Sequence, residues 1–119
     1  MNPSYRYKAT YLGNYDGDSI KLRIDLGFSV ETTQNIRLLD VDTPELRGVD
    51  DETRARGELA RDYVQKQLST AVEIVVETER GKSFDRWLAH IWYKTADMSE
   101  FKHLGNDLLA AGLADKYEK

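Results

Sequence analysis

The sequence predicts a single α+β domain, mainly β, in which five strands form a Greek-key barrel and two helices pack on it. Three observations predict this. Apolar and polar residues alternate at period two through the N-terminal third, the apolar period turns helical between Glu58 and Leu68, and two strand-like runs and a glycine-ended helix follow. The 119 residues suit one domain over 1–119, long enough to bury a core without disulfide or metal.

In the first strand Tyr5, Tyr7, Ala9 and Tyr11 alternate with Arg6, Lys8 and Thr10. Asn14-Tyr15-Asp16-Gly17 supplies a turn, Asp-Gly being a common tight-turn pair. Ile20, Leu22, Ile24 and Leu26 then alternate with Ser19, Lys21, Arg23 and Asp25, and a third strand runs from Phe28 to Leu39. Leu59, Ala60, Tyr63, Val64 and Leu68 fall on one face of a helix over Glu58–Leu68. Strands over Val72–Thr78 and Arg86–Tyr93 follow. A last helix over His103–Ala111 stops at Gly112. The order β-β-β-α-β-β-α fits a barrel of the OB type.

Composition narrows the chemistry. With no cysteine, disulfide scaffolds, thiolate metal sites and cysteine nucleophiles are excluded. Mean hydropathy of -0.62 and the lack of a long apolar run argue against a membrane span. A net charge of -4 and a pI near 5.2 disfavour a protein that grips nucleic acid by charge alone. The same charge suits a hydrolase whose carboxylates hold a cation against a phosphate. No basic stretch followed by an apolar run opens the chain, which predicts a cytoplasmic protein, or a secreted one had a signal been removed.

Three segments carry groups suited to chemistry. Asp16-Gly17-Asp18-Ser19 offers carboxylates at a hairpin edge, where a hard cation finds oxygen ligands; it is not an EF-hand loop, and by itself it reads as an ordinary turn. Arg37-Leu38-Leu39-Asp40-Val41-Asp42-Thr43-Pro44-Glu45 gathers a guanidinium, carboxylates and a hydroxyl; alone it reads equally as a surface ion pair, Arg37 with Asp42, beside a helix start capped by Thr43. Phe84-Asp85-Arg86-Trp87-Leu88-Ala89 brings a second arginine to a strand edge. The polar stretch from Leu46 to Arg56 reads as a solvated loop or as a flap over substrate. His90 and His103, the two histidines, lie in neither metal-bearing segment and read as barrel and helix residues.

In order and spacing these segments resemble the staphylococcal nuclease (thermonuclease) family, together with Gly57-Glu58-Leu59-Ala60 and Gly112-Leu113-Ala114. The match runs from about Tyr7 to Ala114. The resemblance implies an OB-fold nuclease acting on DNA, RNA or both, with Ca²⁺ as cofactor; the expected state is a monomer. It implies Asp18 and Asp42 as carboxylate ligands of calcium, with the Thr43 carbonyl as a further ligand and Asp16 supporting them. It implies Glu45 as the general base acting on water, and Arg37 and Arg86 as the phosphate clamp. Arginine suits that post because it is always charged and donates paired hydrogen bonds to phosphate.

Several positions depart from the family pattern. Ser19 replaces threonine, Asp85 replaces glycine, Asp40 replaces an apolar residue, and Lys82 and Ser83 stand where an acidic residue is common. Phe84 stands where a nucleotide-binding tyrosine is frequent, Tyr117 offers a substitute base-stacking tyrosine, and the chain stops at Lys119 without the long C-terminal helix of the best-known members. The competing expectation is a catalytically weak or inactive OB-fold module that binds single-stranded nucleic acid or a protein partner. A third is a domain of a larger assembly. The full set Asp18, Arg37, Asp42, Glu45 and Arg86 favours the enzyme.

Overall fold

The alternation at Ile20, Leu22 and Ile24 buries these side chains to 1% exposure or less, and leaves Lys21, Arg23 and Asp25 in solvent. That asymmetry curls the sheet around its apolar face. A computed structural model describes residues 4–79 and 87–117 of the chain. Five long strands are present: β1 (Ser4–Asn14), β2 (Ser19–Gly27), β3 (Val30–Leu38), β5 (Ala71–Glu79) and β6 (Trp87–Thr95). Three short strands accompany them: β4 (Val41–Asp42), β7 (Lys102–His103) and β8 (Asp115–Lys116).

The sheet order is β3-β2-β1-β5-β6-β7, and β3 also pairs with β6. This second pairing is parallel, Arg37 opposite Leu88, and it closes the five long strands into an OB-type barrel. All other pairings of the long strands are antiparallel. Inside, Ile36, Leu38, Val76, Ile91 and Tyr93 meet Val64 and Leu68 of helix α1 (Asp51–Ser69) and Leu104 and Leu108 of helix α2 (Leu104–Ala110). The Tyr93 hydroxyl donates to Asp107, tying β6 to α2. Among the described residues no helix is long and apolar enough to cross a membrane.

Helix α1 starts well before the expected Glu58. Asp50 caps it, its carboxylate accepting from the Thr53 amide at 2.7 Å, and Asp51 and Glu52 stand in the first turn. The first two turns carry few apolar residues, so the helical period is silent there. The expected loop over Leu46–Arg56 is therefore only half a loop, 46–50 being irregular and the rest helix. A helix start at Thr43 does not occur either: 43–45 is irregular chain between β4 and the turn. The last helix begins at Leu104, with His103 as its cap, and ends before Gly112 at φ +73°.

Gly57 and Ala60 let α1 press against the segment that follows β4. A Cβ at Gly57 would sit 2.7 Å from the Pro44 carbonyl oxygen and 3.0 Å from that of Glu45, backbone atoms that cannot swing aside. Gly57→Ala is therefore expected to destabilise the protein by about 1–3 kcal/mol, overriding the better helix propensity of alanine. Urea denaturation measures it; an unchanged or raised midpoint would refute the close-packing account.

Candidate nuclease site

The site assembles where the β1–β2 turn, the end of β3, β4 and the N-terminal half of α1 meet. Asn14 fixes the turn. Its side-chain amide donates to the carbonyls of Asp16 and, across the chain, Arg61 of α1, while the Tyr11 hydroxyl donates to its Oδ1. Gly17 passes so close to α1 and β4 that a Cβ there would lie 2.6 Å from Thr43 Cγ2 and 2.9 Å from Ala60 Cβ. Glycine is thus needed for room, and it delivers Asp16 and Asp18 into the interior. Both are nearly buried, at 6% and 5% exposure.

Asp18 is the hub. Its Oδ2 accepts from the Thr43 amide at 3.0 Å and lies 3.1 Å from Arg37 Nη1. Its own amide donates to Asp16 Oδ1 at 3.1 Å. Burial, and then the hydrogen bond to the Asp16 carboxyl, push the Asp18 carboxyl up to about 6, against the smaller downward pull of the Thr43 amide. The Arg37 cation also pulls down, but less than these. Two carboxyl groups crowded in a buried place are unfavourable without a cation.

Arg37 ties the strands to the hub. Nη1 donates to the carbonyls of Leu38 and Val41 at 3.1 and 2.9 Å, and Nη2 reaches Asp42 at 3.3 Å. Among the described residues its Nε and one Nη2 hydrogen have no acceptor, so two donors stay open to an anion. The Arg37 side chain is 15% exposed and that of Asp42 53%, so their pairing lies at the surface, as the bare segment allows, while the pairing with Asp18 is buried. The Tyr117 ring covers the guanidinium, 5.6 Å from its carbon, held there because the Tyr117 amide donates to the Asp40 carbonyl and β8 pairs with β4. Tyr117 is half exposed.

Glu45 remains exposed and makes no hydrogen bond or ion pair among the described residues. Its backbone is fixed by Gly57 from behind. Asp40 takes a left-handed turn, φ +68°, and lines a cavity with Val41, His90, His103 and Lys116 that Asp16 and Asp18 do not line. The loop over 46–50 is tethered over the β1–β2 turn, Arg47 lying 5.9 Å above the Tyr15 ring. Phe84, Asp85 and Arg86 lie outside the described residues.

The residues brought together fit a hard cation in donor type. Asp16, Asp18 and Asp42 offer carboxylate oxygens, and Thr43 Oγ1 is buried with no hydrogen-bond partner among the described residues, an orphaned oxygen beside the crowded carboxyls. Among the described residues no three His, Asp or Glu side chains converge closely enough to hold a metal by themselves. Such a cation would draw on hydroxyl, carbonyl, water or phosphate oxygens as well.

The raised Asp18 carboxyl has a consequence for stability. The folded chain holds that proton more tightly than the unfolded chain does, so in chelator the contribution of Asp18 to stability is fully present in acid and is lost as pH rises towards and through about 6. In Asp18→Asn this fall is expected to flatten. Urea midpoints between about pH 4 and 7 in chelator measure it; an unaltered slope in the variant would assign the fall to other groups.

Sequence reading missed two features of the site. Asn14 is an unremarkable turn residue until the fold sets it beside Arg61, and the placement of Tyr117 on Arg37 depends on the pairing of two short strands. No curated protein is significantly similar to the chain in sequence. A family model described as staphylococcal nuclease homologue matches residues 35–119, which include Arg37, Asp42, Thr43, Glu45, Arg86 and Tyr117. Asp16 and Asp18 precede that segment and reach it through the β1–β2 turn. With this match over most of its length, and an OB-type barrel, the chain belongs to the staphylococcal nuclease homologue family.

Proposed function

We propose that the protein is a calcium-dependent nuclease hydrolysing phosphodiester bonds of DNA, RNA or both. The observation that carries the reading is the joint hold of Arg37 on Asp18 and Asp42, with two of its donors open among the described residues. Calcium at Asp18, Asp42 and the Thr43 carbonyl, with Asp16 behind, would supply positive charge opposite the phosphate. Arg37 presents its open Nε and Nη2 hydrogens to a phosphate oxygen, and Arg86 is the second clamp in this reading. Glu45 takes the proton from the attacking water at its carboxylate, a role suited to an exposed carboxylate on a fixed backbone. Tyr117, covering Arg37 and half exposed, offers its outer face to a base next to the phosphate.

The test is cleavage of single-stranded DNA and RNA oligonucleotides with calcium and with chelator. Cleavage that chelator stops and Arg86→Ala abolishes supports the enzyme. Binding of oligonucleotide without cleavage, at any calcium concentration, would instead favour the binding module. One observation leans that way: Arg37 Nη1 is wholly occupied by the protein's own acceptors.

A further inference from the structure

His90 and His103 lie outside the carboxylate–arginine site, yet they are joined. His103 Nε2 is 2.9 Å from His90 Nδ1, with ring centres 4.9 Å apart, close to a head-on approach of the two nitrogens. A third contact fixes the hydrogens. The Asn106 amide donates to His103 Nδ1 at 3.0 Å, so that nitrogen carries a lone pair. Neutral His103 then has its hydrogen on Nε2 and donates it to His90 Nδ1, and neutral His90 has its own on Nε2.

This arrangement has two acceptor posts, His103 Nδ1 under the helix amide and one nitrogen of the bridge. A neutral pair holds two lone pairs and fills both. A pair that has taken a proton holds one lone pair, and cannot. Whichever nitrogen receives the proton, the cap on α2 or the bridge to β6 is lost. The surroundings set where this happens. Burial first, and then the charge of His90, hold His103 below the ordinary imidazole range, while Asp107 of α2, Asp40 before β4 and Glu77 of β5 pull it back less strongly. Lys116 of β8 lines the same cavity and adds positive charge. A lowered value means that the bonds are intact at neutral pH and are lost as pH falls below about 6.5.

The pair is connected to the site. It lines a cavity of about 390 Å³ with Asp40, Val41, Asn106 and Lys116. Asp40 is the residue whose carbonyl holds Tyr117, and Lys116 is paired with Val41 in the β4–β8 ladder. Helix α2 leads through Gly112 directly into β8.

We propose that the His90–His103 pair is an acid-release latch: a proton taken by the pair at His103 Nδ1 undoes the first turn of α2 and, with it, the β8–Tyr117 cover on Arg37. The release is a property of the fold; only its effect on turnover rests on the nuclease reading.

Amide hydrogen exchange by NMR tests the release without any activity. With the intrinsic pH dependence divided out, the Asn106 and Tyr117 amides are expected to lose protection roughly five- to tenfold between about pH 7.5 and 5, the scale of one lost hydrogen bond. In His103→Asn, whose side-chain oxygen caps a helix without titrating, both amides should keep their protection in acid. In the native chain the loosening should follow the titration of the His103 ring proton, a comparison that needs no variant. Imidazole nitrogen shifts should report both rings as Nε2–H. Constant protection at Asn106, loosening of Asn106 without Tyr117, a midpoint apart from that of His103, or an acid loss that persists in His103→Asn would each overturn the latch.

Discussion

Arg37→Ala is expected to cost the protein about 3–5 kcal/mol of stability at neutral pH, the range for removing one partner of a buried ion pair. The reason is what the guanidinium leaves behind. The carbonyls of Leu38 and Val41 lose their donor, Asp42 loses its partner, and Asp18, already crowded by Asp16, loses its nearest cation. Against a total of about 5–15 kcal/mol for a domain, this is a large fraction. Arg37→Lys should recover only part, because one ammonium cannot serve two carbonyls and two carboxylates spread over a planar fork. Urea denaturation in chelator reads the effect free of any cation. A loss below about 1 kcal/mol would place Arg37 among exposed pairs of little consequence. On the proposed function turnover should collapse as well, so binding and stability must be read alongside rate.

Glu45→Gln separates chemistry from structure. Its carboxylate is exposed and without partners among the described residues, so its loss should leave the urea midpoint, calcium affinity and oligonucleotide affinity essentially unchanged. Turnover should fall by roughly 10²- to 10⁴-fold, the usual contribution of a positioned general base. The measurement is the single-turnover cleavage rate at saturating enzyme, with binding measured separately. Full activity in Glu45→Gln would remove the residue from the proton transfer. A fall matched by an equal loss of oligonucleotide affinity would make it a binding residue instead.

Much of the barrel was legible because its signals are local. Ile20, Leu22 and Ile24 announce a half-buried strand within a few residues, and Asp-Gly announces the turn before them. The motif residues were legible for a different reason, their likeness to a known family. The start of α1 was not, since Asp50 caps a stretch whose side chains face solvent and leave no apolar period. Thr43-Pro44-Glu45 has the composition of a helix start, yet it stays irregular, with the carbonyls of Pro44 and Glu45 packed on Gly57.

The sequence by itself determined the order of strands and helices, the class of barrel, and the residue types available for a phosphate and a hard cation. These depend on period, turn chemistry and short motifs, which act between near neighbours. Only the tertiary structure decided which groups meet. Asp18 reaches Arg37 and Thr43 across the β1–β2 turn, Tyr117 covers Arg37 through the β4–β8 pairing, and His103 faces His90 because β6 and β7 pair with Trp92 opposite His103. Such meetings follow from strand register and close helix packing over long stretches of chain, and no local pattern encodes them.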